Sequence, residues 1–516
     1  MKLNTNKINR NIPEELDGRK LIPFAGKGEK SFKKRKYAPK IRRVTSGDNK
    51  VITSLREAIK KGELTDGGTI SFHHHFRNGD YLLNYVCHEI AKMGLKDIKL
   101  VPSSIQGVHK EILPYLEKGI ITEINCGCAG VIADAISRGK MENLLTIRSH
   151  GGRARSIENG NVEIDIAFIG APTSDKYGNI NGVHGKNACG SLGYSFPDAQ
   201  FANYVVAVTN DLVPFPNNPI SISQEHVDLV VELDKPIGDP SGIVSTTLRV
   251  TRDPKNLKIA RDCIEIIKSS GLLVDGFSYQ SGAGGTALAA TNFLREYMIS
   301  KNIKGSFGMG GATEALVKML EDGLFEAILD VQTFDTYAVQ SLLNNPKHIE
   351  MGASQYANPD TSGCAVNLLD TIILGGTEVD LNFNVNTSTE SDGRIQWGMG
   401  GHQDTSEGAK LTIIAVPLLR GRIPIVVDEV ISVNSPGENI DVVITERGIA
   451  INPESKYYDV ISKDKKLNIK TIDELKKTAE KMIGGKPKKP KTTDKIVAVI
   501  EYRDGSVLDV IYQVKD

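Results

Sequence analysis

The chain has 516 residues, 40% of them apolar and 6% aromatic, with 63 basic and 63 acidic side chains. That length exceeds what one hydrophobic core organises, so two or three domains are expected. Zero formal charge gives no overall electrostatic case for nucleic acid or an anionic membrane, and no apolar run reaches the ~18 residues of a membrane span.

In chain order, residues 1–46 read as a basic arm with 14 Lys/Arg against 4 Asp/Glu, including Lys33-Lys34-Arg35-Lys36. Such a run is a solvated face or a contact for an acidic partner. Its polar start lacks the apolar core of a signal peptide, and a cytoplasmic protein is expected. The six cysteines fit a reducing compartment: only Cys126 and Cys128 are close, and a lone C-x-C lacks the second pair of a metal site. A helix is predicted over 54–61. A short strand then leads through Ser71-Phe72-His73-His74-His75-Phe76-Arg77-Asn78-Gly79-Asp80 into a helix over 81–93. Strands follow at 96–101 and 144–148, with a helix at 131–138 between them and a loop at 149–160. A buried strand is predicted at 204–209. Asp253-Pro254 marks a junction, after which the order repeats: helix 259–269, strand 276–280, glycine loop 281–285, helix 286–298. The next unit is a strand and loop over 303–311 with a helix over 312–320. Strands alternating with helices at these intervals predict a largely parallel sheet.

Residues 161–180 and 376–395 overlay without a gap at an offset of 215, with identities at Glu163/Glu378, Asp165/Asp380, Phe168/Phe383, Gly178/Gly393 and Ile180/Ile395. Each copy reads as a buried strand followed by a polar loop, with the aspartate capping or orienting that loop. The fold class is therefore α/β, with two similar domains at 50–255 and 256–455. The segment 456–516 adds a helix, a basic linker (484–491) and a β-hairpin turning at Asp504-Gly505. A lone hairpin is marginal in water and must pack on something.

The glycine-rich segments carry the chemical signal. Ser278–Thr286 (SYQSGAGGT) and Gly305–Gly311 (GSFGMGG) each follow a strand and precede a helix, so backbone N–H groups can approach a phosphate, thioester oxygen or pantetheine amide. Neither has the lysine of a Walker A loop. Arg148-Ser149-His150-Gly151-Gly152-Arg153-Ala154-Arg155 offers guanidinium groups for carboxylates. The triple histidine is a poor metal site, since at most two of its rings share a face of an extended chain. No metal is expected. Gly400-Gly401-His402-Gln403-Asp404 again joins glycines to polar groups.

Taken together, residues 71–80, 148–165, 305–311, 375–386, 398–404 and the closing EYRDGSVLDVI resemble the citrate lyase α-subunit family, related to CoA-transferases. The resemblance covers nearly the full length. It implies two homologous CoA-transferase-like domains and a citrate:acyl-carrier-protein transfer, acetyl-carrier plus citrate giving citryl-carrier plus acetate. It also implies a β subunit that cleaves the citryl thioester and a small acyl-carrier γ subunit bearing a phosphoribosyl-dephospho-CoA arm. The thioester donor would be that arm or acyl-CoA, with no cofactor bound covalently here, and a homo-oligomer is expected.

Many CoA-transferases form a glutamyl thioester in the second domain, where this chain has NIKGSFGMGG without a carboxylate. Glu158-Asn159-Gly160 resembles their Glu-Asn-Gly but lies in the first half, and Glu314 is a weaker alternative. Direct exchange through a mixed anhydride is the reading that remains. In it Ser306, Gly308, Gly310 and Gly311, with Gly284 and Gly285, hold the thioester end. Arg148, His150, Arg153 and His402 hold citrate. Alternatives are a citramalate lyase α subunit, another acyl-CoA:carboxylate CoA-transferase, or a non-enzymatic docking subunit.

Overall fold

The computed structural model describes residues 2–27, 47–243, 250–282 and 284–515; the Lys33–Lys36 cluster lies outside them. Two large sheets dominate. The first has ten strands in the order Val507–Val514, Thr492–Glu501, Leu145–Ile147, Ile121–Ile124, Ile98–Leu100, Thr69–Ser71, Ile166–Gly170, Tyr204–Thr209, Leu229–Glu232 and Val51–Ile52. All neighbours are parallel except the terminal pair. The second has eight, in the order His348–Glu350, Phe325–Thr333, Gly305–Ala312, Ser278–Ser281, Thr371–Leu374, Leu411–Ala415, Val442–Thr445 and Gly448–Ile451, antiparallel only at its last pair. Counted from Thr69–Ser71 and from Ser278–Ser281, both sheets run 4-3-2-1-5-6-7, so the same α/β topology occurs twice. Strands such as Tyr204–Thr209 are buried along their whole length, as parallel strands covered on both faces must be.

The repeat is real, but its register is not the gapless one. Ile166–Gly170 occupies the place of Thr371–Leu374, and the small hairpin Thr173–Asp175/Ile180–Asn181 matches Glu378–Val379/Val385–Asn386. The offset is thus 205, pairing Asp175 with Asp380, Asn179 with Asn384 and Asn181 with Asn386. In both hairpins the aspartate Oδ1 accepts backbone N–H bonds from its own turn and Oδ2 accepts from the asparagine side chain, at 2.7 Å and 3.1 Å. Gly178 and Phe383, also 205 apart, share the left-handed turn at φ 96° and 63°. The gapless overlay matched Asp165 to Asp380, but Asp165 accepts from Thr69 N across the first sheet.

Three further expectations change. Residues 149–160 are not a loop: His150–Glu158 is a helix, capped by Ser149 Oγ accepting from Gly152 N. Its opening glycines allow close approach, since a β carbon on Gly151 would lie 2.1 Å from Ala357 O. The segment Gly305–Ala312 is itself a strand, with its helix starting later at Glu314, because the glycines extend beneath the Phe325 and Phe334 rings rather than turning. The terminal hairpin continues the first sheet: Ala498, Val499 and Ile500 pair with Leu145, Thr146 and Ile147. Its Ala498, Ile500 and Leu508 are fully buried in the first core, whereas Ile472–Ile483 packs Leu475 and Ala479 on the second half. Among the described residues no helix is long and apolar enough to cross a membrane.

Candidate active site between the two halves

A cavity of about 740 Å³ opens at the carboxyl end of the second sheet. It lies where the strand order reverses: Gln280, Ser281 and Gly282 end one strand, and Leu374, Gly375 and Gly376 end its neighbour. The loops leaving such a pair diverge to opposite faces, which creates a crevice for ligands. The first half closes it with His150 and Tyr194, whose ring centroids are 4.2 Å apart.

Of the residues expected at the site, His150, Gly284, Gly285, Gly311 and His402 line this cavity. Gly284 is the N-cap of helix Gly285–Lys301 and no side chain caps it; a β carbon there would meet nothing within 4 Å. The first-turn N–H groups are thus available to an anionic or carbonyl oxygen. Gly311 follows a register shift after Gly310, which has φ 99°. A β carbon on Gly310 would sit 2.6 Å from the Gln280 amide, and one on Gly311 2.0 Å from the Phe334 ring. Gly310 therefore backs Gln280 without lining the cavity itself. Gly308 and Ser306 do not belong to the lining either. Gly308 makes room for Leu316, and Ser306, five residues before Gly311 and about 16 Å away along a strand, leans its hydroxyl on Phe277 O at 3.4 Å.

Two arginines are also committed elsewhere. Arg148 Nε donates to Glu501 Oε2 at 2.6 Å and Nη1 to Asn125 Oδ1 at 2.7 Å, beside a separate cavity of about 490 Å³. Arg153 forks onto Asp198 at 2.8 and 2.7 Å and donates to Val101 O. Neither arginine lines the cavity between the halves: both are held in buried bidentate pairs, with only Arg153 Nε left without a partner. The arginines that resembled a carboxylate cradle instead anchor the terminal hairpin and the first half's core.

Burial, and secondarily the Arg153 guanidinium, hold His150 down at about pKa 3; burial holds His402 at about 4. Both are neutral near pH 7. His402 Nε2–H donates to Gly375 O at 2.9 Å while Nδ1 accepts from Ser435 Oγ at 2.7 Å, so its ring orients the glycine turn at the cavity wall. Asp404 accepts from Ser149 Oγ at 2.8 Å and Gly151 N at 2.9 Å, tying the His150 helix to the second half. The histidine triplet splits as its alternation requires. His73 and His75 stack with rings 6.1 Å apart, His73 beside Asp198, while His74 turns to Tyr194 with rings 5.2 Å apart. No group of three metal-ligating side chains occurs among the described residues.

Sequence reasoning missed Tyr194, Gln332, Phe334 and Tyr356 as lining residues. Gln280, quoted only as part of a glycine loop, is 8% exposed, donates Nε2–H to Tyr356 Oη at 3.0 Å and leaves Oε1 unpartnered. Its place at the end of strand 1 was the available signal; nothing local marks Tyr194. Among the described lining residues the one carboxylate is Asp253, which caps helix Pro254–Ser269 by accepting from Lys255 N at 2.9 Å. Glu158 ends the His150 helix, about 12 Å from its start, and accepts from Ser354 Oγ. Glu314 pairs with Lys318 on the surface.

The fold is that of two-domain CoA-transferase-like proteins. It is shared with an Acinetobacter baumannii malonate decarboxylase α subunit at TM-score 0.62 and 16% identity, over 84% of this chain and 88% of that one. A Porphyromonas gingivalis 4-hydroxybutyrate CoA-transferase matches at TM-score 0.54 and 17% identity, over 84% and 97%. More specifically, residues 48–514 match the family model "Citrate lyase, alpha subunit (CitF)", and the chain belongs to that family of enzymes. It is 47% identical to the citrate lyase alpha chain of Haemophilus influenzae, over 92% of this chain and 94% of that protein. The Escherichia coli K12 chain is 43% identical, over 91% and 92%. A Streptococcus mutans crystal structure described as the citrate lyase α subunit in complex with citrate superposes at TM-score 0.95 with 48% identity, over 99% and 100%.

Proposed function

We propose that the cavity between the halves exchanges acetate for citrate on the thioester of an acyl-carrier subunit, without an acyl-enzyme. The carrier's phosphopantetheine-type arm, or acyl-CoA in its place, would enter past Gly284 and Gly285. A citrate carboxylate oxygen attacks the acetyl carbonyl; the C–S bond breaks, giving a citric–acetic anhydride and a thiolate. The thiolate then attacks the citryl carbonyl, the anhydride C–O bond breaks, and acetate leaves. Charge is conserved at each step, one anion in and one anion out, so no general acid or base is required. The protein's task is proximity and donors for the two tetrahedral oxyanions. The uncapped N–H groups of the Gly285 helix start would serve that task; Gln280, whose Nε2 is taken by Tyr356 and whose Oε1 is an acceptor, would not.

The observation that supports direct exchange is the lining itself: among its described residues the one carboxylate, Asp253, caps a helix through Oδ1. The test incubates the chain with acetylated carrier, then follows acetate release with citrate or citramalate and maps peptides for acyl adducts. Citrate-dependent acetate release with unmodified glutamates is expected; a glutamyl adduct on Glu158 or Glu314 overturns the direct route. Release with citramalate instead of citrate would reassign the substrate. A lyase β subunit is the consumer of the citryl thioester in this reading.

A further inference from the structure

The separate cavity of about 490 Å³ shares no lining residue with the crevice between the halves. Its floor is one face of the first sheet. Thr69, Lys99 and Glu123 lie side by side across three parallel strands, Thr69 opposite Lys99 and Lys99 opposite Glu123. Val101 and Asn125 follow two residues further along the same face, and Arg148 ends the row just past strand Leu145–Ile147. Interior parallel strands covered on both faces are ordinarily apolar, so a lysine and a glutamate on the middle strands need another reason.

The duplication supplies an internal comparison. Asp165 accepts from Thr69 N and Asp370 accepts from Ser278 N, both at 2.8 Å, which makes Thr69 and Ser278 equivalent. Ser278 stands opposite Phe307, and Phe307 opposite Ala327. Where the second half has Phe307 and Ala327, the first has Lys99 and Glu123. Phe307 packs on the apolar cluster that holds Met351 and Tyr356. One copy of the face is filled with core; the other is hollow and charged.

Segments from opposite ends of the chain wall the hollow, Arg19 to Ile22 on one side and Gly505 with Val507 on the other. They are joined to each other, Val507 N donating to Ile22 O at 2.7 Å and Phe24 N to Val507 O at 3.1 Å. The lining cations are Arg19, Lys20, Lys99 and Arg148, against the carboxylates Glu123 and Glu163. Arg19 and Arg148 share Glu501, and Glu123 Oε1 accepts from Asn125 Nδ2 at 2.8 Å. The ammonium groups of exposed Lys20 and half-buried Lys99 have no ion-pair or hydrogen-bond partner among the described residues. Arg155 is buried beneath Gly505, where a β carbon would collide with its Nη2, and adds positive charge behind the wall. Burial, then the nearby Arg19 and Arg155 guanidiniums, hold the Arg148 pKa well below its usual value.

Cations gathered in a partly enclosed space gain most from a ligand that brings negative charge. We infer that this cavity binds a small doubly charged oxyanion, with the Lys20 and Lys99 ammonium groups as its contacts and Arg148 as a fixed positive charge beside it. A phosphate and a dicarboxylate share that chemistry. The ligand touches the sheet through Lys99 and the amino-terminal segment through Lys20, so binding ties that segment to the first sheet and stabilises the folded chain.

The test titrates the full chain with inorganic phosphate and, separately, with succinate, at an ionic strength held constant with chloride. Calorimetry reads affinity and thermal unfolding reads Tm. Wild type is expected to bind at least one of the two saturably, with Tm rising as the anion is added; the tighter arm identifies phosphate or carboxylate as the preferred group. The double variant K20Q/K99Q should lose at least about tenfold in affinity. Lys20→Gln alone, which leaves the sheet floor intact, should weaken binding in the same direction. K488Q/K489Q, the same change of charge on exposed lysines of the basic linker, should stay within about twofold of wild type. Absence of saturable binding by either anion overturns the inference. So does binding that survives K20Q/K99Q, which would put the ligand elsewhere, or an equal loss in K488Q/K489Q, which would make the effect one of net charge.

Discussion

Gly127 and Gly398 meet backbone to backbone across the two halves: a β carbon on Gly127 would lie 2.2 Å from Gly398 Cα, and one on Gly398 2.5 Å from Gly127 Cα. Cys126 and Cys128, both buried, flank this contact, so the C-x-C pattern frames a point of closest approach. Gly127→Ala should cost about 2 kcal/mol by overpacking and should lower turnover, because Met399, Gly400 and Gly401 of the cavity follow directly. Thermal unfolding and citrate-dependent acetate release measure the two effects.

Gly284 and Gly311 line one cavity yet should respond oppositely to a methyl group. Gly284→Ala meets open space and should leave stability within about 0.5 kcal/mol of wild type, with any effect confined to KM for the carrier. Gly311→Ala drives a β carbon into the Phe334 ring and should cost about 1–3 kcal/mol along with turnover. Denaturant titration beside steady-state kinetics separates the pair.

Arg503, in the turn of the terminal hairpin, donates to Ala357 O at 2.9 Å and lies 3.5 Å from Asp404 and 3.7 Å from Glu407. Burial pushes Asp404 up to about 6, against the pull of Arg503, Gly151 N–H and Ser149 O–H. Arg503→Met leaves the buried Asp404 and the half-buried Glu407 without their cation and should destabilise by about 3 kcal/mol. The loss should be smaller at pH 5 than at pH 8, because protonated Asp404 no longer needs the charge. Chemical denaturation at the two pH values checks this.

His402 supplies a pH dependence of the other kind. Its folded pKa, about 4, is below the ordinary 6.5, so between those values the unfolded chain binds the proton and the folded one does not. Its contribution is therefore fully present above pH 6.5 and is lost as pH falls towards 4, at about 1.4 kcal/mol per pH unit at most. Subtracting the stability profile of His402→Gln from that of wild type should give a difference that rises across this window and is flat above it. A flat difference throughout would mean the imidazole titrates normally.

The α/β class was legible because buried strands such as Ile166–Gly170 and Tyr204–Thr209 are short apolar runs set between helical patterns. The cavity was half legible: His150, His402, Gly284, Gly285 and Gly311 were picked out by glycines next to polar groups. What stayed hidden was long-range. Nothing near Arg148 announces Glu501, 353 residues later, and so a satisfied ion pair resembled a vacant cradle. The duplicated hairpins were seen but overlaid ten positions out of step, because strand hydrophobicity repeats every few residues whereas the Asp-x-x-x-Asn-x-Asn hydrogen-bond pattern occurs once per copy. Ser306 and Gly308 were misplaced for a local reason: glycines spaced by two or three fit a turn or a strand packed under large rings equally well.

The outer neighbour of Leu145–Ile147 is supplied by residues 498–500. Because the ribosome delivers the amino end first, this sheet keeps a bare flank while the second half is being made, until residues 498–500 supply the strand that seals it. Maturation of the first sheet is thereby coupled to synthesis of everything up to that strand. A nascent or prematurely terminated product displays unpaired backbone groups, the kind of template on which chains stick to one another.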